Sequence, residues 1–462
     1  MGKNWLTKLL ALFMAFGLVA AACGSDDDES ADETEAGESS ASASASASAS
    51  EPAEEDDAME EEDDAMEEED DAMEEEDGDA MAEGDGVLTI GTIFPVTGDL
   101  AFLGPAEVQG AELAVEDINA AGGVLGADVV LEQGDSGDTT TDIANTEVDR
   151  LLALGADAIM GAASSAVSLT VIDKITGAGV IQFSPANTSP QFTDYDDNGL
   201  YFRTAPSDLL QGRVLANAVL DQGNESVSVL FRQESYGQGL ADAFQENFEA
   251  AGGVIDEFLP YAIDVESFDA EVDTLVEAGS DAYIVIGFAE SAGIITTMNE
   301  RGIGPNDTNV WGVDGNLGIE SEMSDPSILA GMRFTQPSVD LNSISDFVTR
   351  LEGAMPADSS TAYGAETYDS ILIVALAAQI AGTDEATAIA AEINGVTKDG
   401  EKCTDFASCK EIIDAGGDID FDGLGGPYEF VDAGEPAAAS FLIATYGDNG
   451  ADDSLAEYVF AS

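Results

Sequence analysis

The sequence predicts an α/β protein built as two doubly wound lobes, each a parallel sheet with helices on both faces. Two observations carry this. Between residues 87 and 189, apolar runs of buried-strand length alternate with helix-periodic segments, and the same alternation restarts after Pro206 and runs to Trp311. Repeated βα units form parallel sheets, because a crossover helix must return the chain to the same sheet edge. A restart favours two similar lobes over one oversized sheet.

The elements follow in order. Residues 87–94 (VLTIGTIF) form an unbroken apolar strand, and a helix-periodic stretch between Pro105 and Ala121 ends in Gly122-Gly123. Val129-Val130-Leu131 reads as a strand, 141–154 as a helix and Ala158-Ile159-Met160 as a strand. Residues 161–189 (GAASSAVSLTVIDKITGAGVIQFSPANTS) then give a strand end, a Ser-Ser turn, a helix, a second strand and a polar loop. A helix opening at Ser164-Ser165 aims unpaired N–H groups and two hydroxyls at one point, a site suited to a carboxylate. The loop at Ala186 to Thr188 follows the next parallel strand and emerges on the same edge, where such sheets hold ligands. Taken alone, the stretch reads equally as two ordinary helix caps.

After Pro206, helices at 209–220, 238–251, 268–278 and 291–301 precede strands at 226–231, 254–259, 281–286 and 310–311. An apolar helix spans 365–380, and Gly-rich turns with strand-like segments close the chain over 419–460. Cys403 and Cys409 lie six apart. In an exported protein such a pair reads as a disulfide closing a small loop. The rival, a metal site, has two thiols and no histidine to draw on.

Charge narrows the function. The chain of 462 residues carries 13 Lys+Arg against 94 Asp+Glu, a formal net charge of −81, and no histidine. A nucleic-acid partner is excluded by repulsion and by the lack of a basic patch. Without histidine the chain lacks the commonest general base and metal ligand. Residues 24–86 hold 30 acidic groups and no Lys or Arg, which leaves about −53 on 87–462. A folded surface that acidic repels itself unless salt screens it, which suits a protein working outside the cytoplasm in a saline medium; lineage-wide composition bias is the other explanation.

The first 23 residues have the shape of an export signal. Lys3 and Lys8 give a positive start, residues 9–19 an apolar core too short to span a membrane, and Ala20-Ala21-Ala22 precede Cys23. Small residues before a cysteine resemble the bacterial lipobox, which implies that Cys23 is lipidated and tethers the protein to a membrane surface. Ala20 stands where the lipobox prefers Leu, and plain cleavage after an Ala-x-Ala site is the alternative. Residues 24–86 contain an Ala-Ser repeat and three copies of DDAMEEE at 56–76. The Ala-Met pairs are adjacent, which is not the spacing of a coiled-coil seam, and five like charges per repeat favour a solvated, disordered linker.

These motifs together resemble the leucine/isoleucine/valine-binding proteins of ABC importers, of the periplasmic binding protein type 1 fold. The residues carrying the likeness are GTIFPVTG at 91–98, GAELAVEDINAAGG at 110–123, the 161–189 stretch, Tyr236-Gly237-Gln238-Gly239 and Trp311-Gly312-Val313-Asp314-Gly315. The resemblance implies two lobes joined by a multi-strand hinge, with chain crossings near 203–206 and 334–337 and a third before Ile419. One lobe then holds 87–205 and about 337–415, the other 206–336 and about 416–462.

The resemblance also implies residue roles. Ser165, beside Ser164, donates its hydroxyl to an amino acid's carboxylate. Thr188 contacts the carboxylate or ammonium, and the Ala186 carbonyl accepts from the ammonium. Asp314 pairs with the ammonium in place of the family's usual Glu. Tyr236 and Phe288 cover the ligand from the second lobe, and Leu103 meets its side chain. Phe288 lacks the hydroxyl of the family's usual Tyr, and Leu103 replaces an aromatic. The implied function is capture of an apolar amino acid and delivery to permease and ATPase subunits. Neither a cofactor nor a metal is implied, and no nucleophile elbow, histidine or phosphate loop supports an enzyme. A ligand sensor, or a binder of a small amide or urea, is the alternative.

Overall fold

The computed structural model describes residues 84–462, apart from 264, 266, 358, 448, 449 and 452. The signal sequence, Cys23 and all but the last three residues of the acidic linker lie outside the described residues.

Eight elements build the first sheet and its covering: β1 (Thr89–Phe94), α1 (Gly104–Ala120), β2 (Val130–Asp135), α2 (Ile143–Ala153), β3 (Ala158–Gly161), α3 (Ser165–Gly177), β4 (Ile181–Ser184) and β5 (Tyr201–Arg203). The strands are all parallel in the order β2-β1-β3-β4-β5. β1, β3 and β4 are buried almost throughout, which is why they read as unbroken apolar runs.

The second lobe follows with α4 (Asp208–Asp221), β6 (Ser226–Arg232), α5 (Ser235–Ala250), β7 (Val254–Tyr261), α6 (Asp269–Ala278), β8 (Ala282–Ile286), α7 (Ser291–Glu300), β9 (Asn309–Val313) and β10 (Arg333–Pro337). Its parallel strands run β7-β6-β8-β9-β10, the same order by position as the first sheet. Each sheet therefore reverses direction of winding beside its first strand, β1 or β6, and opens a crevice at the strands' carboxyl ends there.

The chain then returns to the first lobe with α8 (Ser345–Ala354), α9 (Gly364–Ala381), α10 (Ala386–Val396), β11 (Glu401–Cys403), α11 (Phe406–Asp414), β12 (Ile419–Gly423) and β13 (Gly426–Pro427). It ends on the second sheet with β14 (Ala439–Gly447), β15 (Gly450–Ala451) and β16 (Glu457–Ala461), where β14 pairs antiparallel with β10, β15 and β16. The helix expected over 365–380 is α9. Fourteen of its 18 residues are buried, so it is a central core helix packed between α1 and α10. Among the described residues no single helix is long and apolar enough to cross a membrane.

The third chain crossing departs from expectation. Assigning everything after about 416 to the second lobe is incorrect, because Ile419, Phe421, Tyr428 and Phe430 pack in the first lobe's core with Phe183 and Phe202. The cause is local. β12 pairs in parallel with β11, and the buried Asp369 of α9 accepts from Leu424 N, Gly425 N and the Tyr428 hydroxyl, tying this turn to α9. The crossing falls after Phe430 and before β14.

Cys403 and Cys409 form a disulfide linking the end of β11 to α11, with Cα atoms 5.3 Å apart. Both are buried in the first core.

Candidate functional site

A small closed cavity of about 20 Å³ lies where the carboxyl ends of the two sheets face one another. Its lining is Leu100, Leu103, Ala163, Ser164, Ser165, Ala186, Thr188, Tyr236, Phe288, Asp314, Gly315 and Tyr363. All eight residues singled out from the sequence are brought together here. They come from corresponding positions of the two sheets: the ends of β1, β3 and β4 on one side, and of β6, β8 and β9 on the other.

The first wall is set by the turn after β3. Gly161 has φ +106°, and a Cβ there would stand 2.4 Å from the Ile93 carbonyl oxygen, so only glycine lets the chain leave the strand this way. Ser164 then caps α3, its Oγ accepting from Val167 N at 3.4 Å. Ser165, on the first helical turn, accepts from Ser189 N at 3.3 Å. The amino end of α3 thus opens onto the cavity with its partial positive charge.

Asn187 locks the neighbouring loop to this helix. Its Nδ2 donates to the carbonyls of Ala162 and Ala163 at 3.0 and 2.8 Å, and its Oδ1 accepts from the Tyr201 hydroxyl. Arg203 donates from behind to the carbonyls of Asn187 and Ser189, and is itself neutralised by a buried ion pair with Glu435. Ala186 and Thr188 on either side of Asn187 are thereby fixed toward the cavity.

The second wall is aromatic and acidic. Glu234 caps α5 by accepting from Tyr236 N and Gly237 N, which places Tyr236 on the first turn. The helix starts three residues earlier than its periodicity indicated. Tyr236 and Phe288 stack with ring centroids 5.2 Å apart. Asp314 follows β9 and is 7 % exposed. Its Oδ1 accepts from Gln211 Nε2 at 2.9 Å and the Tyr236 hydroxyl at 3.0 Å, and its Oδ2 accepts from the Tyr363 hydroxyl at 2.8 Å. At Gly315 a Cβ would meet the Gly287 carbonyl at 2.6 Å, so the close approach of these two loops requires glycine.

Burial raises the Asp314 carboxyl above the usual aspartate range, while Tyr363, Gln211 and Tyr236 pull it back. Asp208, at the start of α4, is fully buried, and neither of its oxygens holds a well-formed hydrogen bond. Burial and the nearby Asp314 charge push it well above the usual range, against the opposing pull of Thr188 and Arg203. No Lys or Arg lines the cavity. It therefore offers donors at one end, from a helix terminus and hydroxyls, and negative charge at the other.

Sequence reading missed Tyr363, Gln211, Asp208 and Leu100. Tyr363 arrives from residues beyond the second crossing, in a left-handed conformation (φ 61°) just before α9, and nothing local marks it. Asp208 and Gln211 read as an ordinary first helical turn. Among the described residues no group of three or more His, Cys, Asp or Glu side chains could hold a metal ion.

Comparison with known proteins agrees with this architecture. Residues 87–449 match the family model described as periplasmic binding protein. A relative, Leu/Ile/Val-binding protein homolog 3 of Brucella melitensis, is 29 % identical over 49 % of this chain and 64 % of its own length. The chain thus spans less than two thirds of that relative. The chemotactic signal transduction system substrate-binding protein BasB of Halobacterium salinarum is 26 % identical over 79 % of this chain and 88 % of its own. Among solved structures, the branched-chain amino acid transporter substrate-binding protein LivJ of Streptococcus pneumoniae, in complex with isoleucine, has a TM-score of 0.67 at 23 % identity, over 81 % of this chain and 99 % of that one. The family consists of solute-binding proteins rather than enzymes, and its fold is the two-lobed arrangement expected from the motifs. The chain belongs to the periplasmic binding protein family, and Leu/Ile/Val-binding protein homologues are among its relatives.

Proposed function

We propose that this protein captures an apolar α-amino acid between its lobes and delivers it to the permease and ATPase subunits of an ABC importer, tethered outside the cytoplasm through a lipidated Cys23. The observation that carries the reading is the polarity of the cavity. The amino end of α3, with Ser164 and Ser165, faces the buried acid Asp314 across a space lined by no cationic side chain. A zwitterion matches this arrangement. Its carboxylate takes the helix terminus and the Ser165 hydroxyl, and its ammonium takes Asp314, the Ala186 carbonyl and the Thr188 hydroxyl. In a partly desolvated cleft these charged hydrogen bonds strengthen. Leu100, Leu103, Tyr236 and Phe288 leave an apolar surface for the side chain. Isoleucine in the LivJ complex supports the substrate class.

Calorimetry of the protein against the twenty amino acids, with urea and acetamide included, tests the reading. Micromolar binding of one or more apolar amino acids is expected. Binding of none tighter than millimolar, or a preference for the amides, overturns it.

A sensor is the second reading, favoured by BasB, whose name places it in a chemotactic signalling system. Ligand-dependent stimulation of ATP hydrolysis by a reconstituted permease complex supports transport; ligand-dependent binding to a receptor without it supports sensing.

A further inference from the structure

Arg232 ends β6 and is 3 % exposed. Its Nη1 reaches Glu290 Oε1 at 2.8 Å within its own lobe, and its Nη2 reaches Asp99 Oδ2 at 2.7 Å in the other lobe. The guanidinium carbon lies over the Phe288 ring, 4.5 Å from its centroid. Glu290 in turn accepts from the Tyr261 hydroxyl and from Phe288 N, so the acid that holds the cation also holds the backbone of the aromatic residue.

Asp99 sits on the loop between β1 and α1. That loop is tied to the first lobe by Asp135, which accepts from Val96 N, Thr97 N and the Thr97 hydroxyl. Leu100 and Leu103, which line the cavity, belong to the same loop. One ion pair therefore joins the segment carrying the first lobe's apolar wall to the cation that braces the second lobe's aromatic wall. Among the described residues no other ion pair bridges the cleft. The folded part carries a large excess of carboxylates, and this pair is an attractive charge contact between its lobes.

We propose that Arg232 is a positioning residue of the cleft, which braces Phe288 through its guanidinium and latches the lobes together through its ion pair with Asp99. This rests on ligand capture between the lobes. The pair forms when the lobes meet and is broken when they part, so it adds to affinity chiefly by slowing release. Because Asp99 is 38 % exposed, salt screens the pair.

The test uses the full chain with L-leucine as probe, and Asp99→Asn as the first variant because Asp99 lies outside the cavity lining and its loop keeps its Asp135 anchors. Calorimetry in about 0.1 M NaCl is expected to give roughly tenfold weaker binding for Asp99→Asn, with the difference shrinking in about 1 M NaCl. Asp99→Lys, which sets like charges across the cleft, is expected to lose more. Binding within about twofold of the parent at low salt, or a deficit that salt does not change, overturns the latch. If the parent itself does not bind leucine, that bears on the choice of amino acid, and the amino-acid reading fails separately only if none of the twenty binds. Small-angle scattering then decides the latch: a larger radius of gyration for Asp99→Lys than for the parent at low salt supports it, and identical profiles overturn it.

Discussion

Asp314 concentrates the chemistry of the cleft in one side chain. Three neutral donors fill most of the roughly four acceptor sites a carboxylate has, and an ammonium would complete them. Asp314→Ala should weaken amino-acid binding by at least about 100-fold in calorimetry, since it leaves a buried ammonium unpaired. Tyr363 is a milder case. Its hydroxyl reaches Asp314 from the opposite lobe, so Tyr363→Phe removes one hydrogen bond to a charged group and should cost about 1.5–3 kcal/mol in binding, read as a 10- to 100-fold rise in Kd. Both Asp208 and Asp314 are held above the usual aspartate range, and an ammonium ligand favours their ionised forms, so it draws off protons wherever the pH lies below those raised values. Affinity should therefore rise with pH through these raised values, and calorimetry in buffers of different ionisation enthalpy should register proton release. At this scale the sequence was legible wherever a motif is contiguous, as at Ser164-Ser165 or in the Asp314-Gly315 turn. It was not legible at Tyr363 or Asp208, whose meaning depends on partners over 40 and over 100 residues away, respectively, on other elements.

The elements succeed as ligand platforms because capping and loop anchoring aim them. Asn187 shows this most directly, since its side-chain hydrogen bonds hold the 185–189 loop against the turn before α3 and against Tyr201 of β5. Asn187→Ala should leave two buried carbonyls and the Tyr201 hydroxyl short of partners. A loss of about 1–3 kcal/mol in denaturant unfolding is expected, together with weaker binding, because Ala186 and Thr188 lose their fixed position. Strands and long helices were foreseeable from period and length, since β1, β3, β4 and α9 are buried on all sides and so are uniformly apolar. The segment 416–430 misled because strand-like residues at a chain's end suit either sheet. Which one they join is settled by Asp369 and by pairing with β11.

For the whole molecule, charge sets how stability responds to its surroundings. Burial pushes Glu366 to about 7 and Asp369 to about 6, and raises Glu107 and Asp208 well above the usual range. A carboxyl with a folded value above its unfolded one holds its proton more tightly in the native state. Its stabilising contribution is complete below about pH 4 and is lost as pH rises through the folded value. The melting temperature should accordingly fall between about pH 5 and pH 8 in scanning calorimetry. The net charge of about −53 on residues 87–462 adds self-repulsion, so added NaCl should raise the melting temperature at neutral pH; no rise would count against adaptation to salt. The sequence by itself determined the lobe type, the acidic character and most of the residues in each cavity wall, because period, composition and contiguous motifs are local properties of the chain. Only the tertiary structure decided which lobe owns residues 419–430, that Tyr363 and Gln211 complete the shell around Asp314, and that Arg232 meets Asp99. All but the Gln211 contact depend on segments that the chain crossings bring together, and contacts between residues so distant in sequence leave no periodic trace in the residues that make them.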